Sequence, residues 1–74
     1  MANESRKRSI SNEIDRNNAE IARKIEEITR IQSNSYRAKR DVNNSERNSI
    51  ANAQNRIAYL QKRNAQLIAE FNRL

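Results

Sequence analysis

The chain has 74 residues, a formal net charge of +6 and no Gly, Pro, Cys, His or Trp. At ordinary usage about nine Gly and Pro together would occur; without them the tight corners of sandwiches, barrels and βαβ units are disfavoured, and an all-helical chain is expected. The lack of Cys and His removes disulfides, thiolate zinc sites, the usual general base and the commonest metal ligand.

One domain fits this length. Its large apolar residues are nine Ile, three Leu, one Val and one Phe. So thin a set supports only about 3–5 kcal/mol from a single core. Packing of helices between copies, or against a partner, is therefore expected. The opening segment is basic but lacks an apolar stretch, so no secretory signal is expected and the cytoplasm is the default location. Signal-independent export stays open. No apolar run approaches the ~20 residues of a membrane span, so no membrane partner is expected.

The first predicted helix covers residues 3–42. Ile10, Ile14, Ile21, Ile25 and Ile28 recur at gaps of four, seven, four and three. At about 100° per residue they fall within about 60° of one another, on one helix face. Ile31 widens that stripe. Opposite charges four apart (Glu4–Arg8, Glu20–Lys24, Arg23–Glu27, Glu26–Arg30) support the same segment.

Residues 32–49 are polar apart from Tyr36 and Val42 and a lone Ala, and they hold the turn. Asn43 and Asn44 mark it, because Asn tolerates the left-handed conformation best after Gly. Ser45 would then cap the next helix.

The second predicted helix covers residues 46–74. Ile50, Ala53, Ile57, Leu60, Asn64, Leu67, Phe71 and Leu74 alternate at gaps of three and four, a heptad seam. Asn64 is the lone polar seam residue, the type that fixes register at some cost in stability.

The two stripes have similar lengths. A fold near residues 41–42 lays Ile10 beside Leu74 and Ile31 beside Ala53. The expected fold is all-α: an antiparallel αα-hairpin with coiled-coil-type packing, helix 3–42, turn 43–45 and helix 46–74. Its rival is one continuous helix of about 110 Å in a coiled coil.

No catalytic constellation is visible. Most of the nine carboxylates have a basic residue three or four positions away and read as solvated helix faces. No enzyme, cofactor or metal is expected. The expected function is that of a structural or interaction protein. It self-assembles, or docks on another helical protein, through Ile10, Ile14, Ile21, Ile25, Ile28, Ile50, Ile57, Leu60, Asn64, Leu67, Phe71 and Leu74. Two other readings stay open. Arg6, Lys7, Arg8, Arg37, Lys39 and Arg40 would serve a small basic nucleic-acid-binding protein, weakly, because the charge is spread along the chain. Alternatively the chain is a segment that folds on a larger complex.

Overall fold

The structure is a computed structural model that describes residues 2–74. Helix α1 spans Ala2–Arg37 and helix α2 spans Asn44–Arg73, joined by residues 38–43. The helices run antiparallel: Arg6 meets Glu70 near the open end, and Glu20 meets Arg56 further along. The molecule measures 57 × 15 × 14 Å, about half the length of a continuous helix. The chain is thus an all-α antiparallel hairpin, and the continuous helix is set aside.

The turn falls earlier than residues 43–45, and α1 stops before residue 42. Lys39 takes a left-handed φ of 55°. Its N–H donates to the Tyr36 carbonyl (3.1 Å), and the Arg40 N–H donates to the Ser35 carbonyl (3.2 Å). These two bonds make a Schellman cap with Lys where Gly is usual. The hydroxyl of buried Ser35 donates to the Arg40 carbonyl and ties the cap down.

Asn43 does not make the turn, and Ser45 does not cap α2. Asn43 itself is the N-cap, extended at φ −80° and ψ 175°. Its side chain accepts the Glu46 N–H (2.8 Å), while the Glu46 carboxylate accepts the Asn43 N–H (2.9 Å). This capping box satisfies two backbone donors at once, which a left-handed Asn43 would not do.

The left-handed strain on Lys39 costs about 1 kcal/mol. Lys39→Gly should therefore raise the melting temperature by a few degrees, as followed by circular dichroism. An unchanged or lower value would show that Lys39 is unstrained.

Arg40 also grips Glu46, with Nη1 and Nη2 at 2.7 and 3.1 Å from the two carboxylate oxygens. That guanidinium, with the Asn43 N–H, pushes the Glu46 carboxyl down from 4.5 to about 2. The folded state therefore favours the ionised form. Its contribution is complete above pH 4.5 and is lost as pH falls through about 2. An acid titration should lose helicity in that window, and Glu46→Gln should shrink the loss.

The seam of α1 alternates at gaps of four and three through Ile10, Ile14, Asn17, Ile21, Lys24, Ile28, Ile31 and Ser35, all of them buried or half-buried. It meets the predicted α2 seam, where Ala53, Leu60 and Leu67 are buried. The cross-helix bonds join Arg6 to Glu70 and Asn17 to Asn64, so α2 is offset from the register that would lay Ile10 beside Leu74 and Ile31 beside Ala53. The earlier turn causes the shift. Ile25 is off the seam and 52% exposed, because Lys24 holds the seam position beside it.

Candidate functional site

One edge of the hairpin is a ladder of ion pairs. Arg6, Glu13 and Glu20 lie seven apart on α1, and Glu70, Arg63 and Arg56 lie seven apart on α2. Each guanidinium forks onto its carboxylate. The two distances are 2.5 and 2.7 Å for Arg6–Glu70, 2.9 and 3.4 Å for Arg63–Glu13, and 2.6 and 3.2 Å for Arg56–Glu20. Hydrogen bonds from these arginines hold Glu13, Glu20 and Glu70 below the ordinary carboxylate value. Such water-exposed pairs select register and orientation more than they stabilise.

The next rung would join Glu27 to position 49, which is Ser. Glu27 instead lies 3.5 Å from Lys24 on its own helix. Among the described residues none of the four expected pairs spaced four apart closes. Glu20, for instance, reaches across to Arg56, where a forked guanidinium offers two charge-assisted bonds.

Asn64 is the polar point of the seam, and its partners lie in the same chain. Its Oδ1 accepts from Asn17 Nδ2 (2.9 Å), and its Nδ2 donates to Asn18 Oδ1 (3.0 Å). A shift by one residue would break both bonds and every rung of the ladder.

The hairpin uses most of the expected assembly stripe internally. Ile10, Leu60 and Leu67 are buried, while Ile14, Ile21, Ile28, Ile50, Ile57 and Asn64 are half-buried along the seam. Ile25, Phe71 and Leu74 remain exposed.

The six basic candidates are not brought together. Arg6, Lys7 and Arg8 lie at the open end, while Arg37, Lys39 and Arg40 lie at the tip of a 57 Å rod. Arg6 and Arg40 are engaged by Glu70 and Glu46. The Lys7 ammonium sits 5.4 Å from the centroid of the Phe71 ring and covers it.

Heptad position divides the outer surface into two unlike broad faces. The ladder face carries Arg16, Arg23, Arg30 and Arg37, seven apart along α1 and exposed. Among the described residues these four make no ion pair. Tyr59 lies on the same face, with the Arg56 guanidinium 5.1 Å from its ring centroid.

The opposite face is uncharged over most of its length. On α1 it presents Asn18, Ala22, Ile25, Thr29, Gln32 and Tyr36, and on α2 Ala51, Gln54, Ala58, Gln61, Ala65 and Ile68, all exposed. Its charges sit at the ends: Glu4, Arg8 and Asp15 toward the open end, Arg47 toward the tip. A shallow groove opens on this face, lined by Ser11, Ile14, Asp15, Ile68 and Phe71.

The heptad frame of α1 was the signal that would have found this face, and the polar seam residues Asn17 and Lys24 hide it from a reading of apolar residues alone. Among the described residues no helix is long and apolar enough to cross a membrane. Comparison with protein-family models, with curated proteins and with solved structures finds no match for this chain.

Proposed function

We propose that the chain is a non-enzymatic docking hairpin that sets its uncharged face against another helical surface. The observation that carries this reading is the face itself: a run of six consecutive uncharged face positions on each helix, in a chain whose residues are 32% charged. The ladder face of the same hairpin carries the arginine row and the ion pairs instead. The hairpin's own core also leaves room for a partner. Among the described residues the largest fully buried side chains are Ile10, Leu60 and Leu67, each contributing about 1.5–3 kcal/mol.

The native chain has no Cys, so single-cysteine variants report one position each. Ala58→Cys and Gln61→Cys place a thiol on the uncharged face; Asn12→Cys and Asn55→Cys place one on the outer flanks. In cells producing the protein, the first two should react with a small alkylating reagent several-fold more slowly than the second two. Equal rates would overturn the docking reading.

A second reading draws on the arginine row. Arg16, Arg23, Arg30 and Arg37 fall about 10.5 Å apart along α1 and suit the backbone of a nucleic acid. Four such contacts would give a salt slope near −3.6 in log affinity against log salt on a duplex. The acidic neighbours Glu13, Glu20, Glu26 and Glu27 beside the row weaken this reading, and it ranks below docking.

A further inference from the structure

We infer that the occupant of the uncharged face is a second copy of this chain, the two hairpins closing into a four-helix bundle. The inference rests on the docking reading and names its partner. Charge is the first support. An acidic protein or a nucleic acid finds no cation to meet between Asn18 and Tyr36 on the α1 side of this face or between Ala51 and Ile68 on the α2 side. A second copy brings a face equally free of charge. Both arginine rows then point outward, so the net charge of +6 on each copy is kept away from the contact. The ladder face could not meet itself in this way, because its arginine row would oppose its own copy.

Size is the second support. The uncharged stretch runs about 27 Å along each helix and the rod is 15 Å across, so this stretch covers on the order of 400 Å², and with the flanking ends of the face it reaches the ~800 Å² that each partner contributes to a standard stable interface. Side-chain shape is the third. Ile25 and Ile68 widen the narrow two-helix seam to the broader apolar stripe of a bundle helix. Ala51, Ala58 and Ala65 keep the α2 surface low, so that a facing helix can approach to about 8–10 Å. The amides of Asn18, Gln54 and Gln61 carry both donors and acceptors and can satisfy those of a facing copy. A symmetric pair needs such a self-complementary patch.

The test is sedimentation equilibrium on the full chain, from low micromolar concentration upward. The expected mass is twice 8.7 kDa. Ile25→Glu with Ala58→Glu should weaken the dimer at least about 100-fold, because each buries an unpaired charge. Arg30→Glu, on the ladder side, should leave it intact. Both positions are exposed in the single hairpin, so circular dichroism should show the double variant still helical, and a spin label on Ala58→Cys provides a second, independent reading. Labels at position 58 should broaden one another between copies, and labels on Asn12→Cys should not. A monomer at every concentration, or broadening at position 12 rather than 58, would overturn the second copy. If that monomer still showed the thiol of Ala58→Cys protected in cells, the docking reading would stand with a different partner; if that thiol reacted freely, both would fall.

Discussion

Leu60→Asp should unfold the hairpin outright, whereas Ile25→Asp should leave it folded. Leu60 is 2% exposed at the middle of the α2 seam. Truncating such a side chain to Ala costs about 2–5 kcal/mol, and a chain of this size holds about 4–11 kcal/mol in total. A buried, unpaired carboxylate adds a further penalty, or else it takes up a proton. Ile25 is 52% exposed and lies on the uncharged face, so a carboxylate there stays in water while the hairpin is alone. Both substitutions remove docking, but for different reasons. Far-ultraviolet circular dichroism with mass determination separates them: no helix and no assembly for Leu60→Asp, helix without assembly for Ile25→Asp. A helical Leu60→Asp chain would mean that the seam is not the core.

The second large effect lies at the polar seam pair. Replacing Asn17 and Asn64 together by Leu should stabilise the hairpin by about 2 kcal/mol and raise its melting temperature by about 10 °C. Replacing Asn64 alone should lower it, because Asn17 and Asn18 lose their amide partners. The two substitutions are therefore strongly non-additive. The stabilised double variant should also lose uniqueness of register, since an all-apolar seam tolerates slips that Asn–Asn hydrogen bonds forbid. Amide resonances of α2 should then double or broaden. One sharp set of resonances in the double variant would transfer the register role wholly to the Arg6, Arg63 and Arg56 rungs.

The α2 seam was legible from sequence because seven of its eight positions are apolar and the gaps never break the three-four alternation. The α1 seam was legible only in part. Asn17 and Lys24 occupy two of its positions, and the apolar Ile25 beside Lys24 drew the stripe off its true line. The turn was misplaced for a similar reason: Asn43 suits both a left-handed stop and an N-cap. The choice between them depends on Glu46 closing the capping box, and on Lys39 accepting a strained φ. The ladder cannot be seen until the register is known, since each rung joins two helices, and the uncharged face stays hidden until the heptad frame of α1 is placed through Asn17 and Lys24. Glu20 reads locally as a partner for Lys24, and only the antiparallel register brings it to Arg56.

The seam, the ladder and the uncharged face all depend on the chain doubling back at residues 38–43, so the most direct test is small-angle scattering with mass determination on the full chain. The hairpin predicts a maximum dimension close to the 57 Å of the folded rod, whether one copy or two face-to-face copies are present. A maximum dimension near 110 Å, about the length of an unbroken helix, would contradict it.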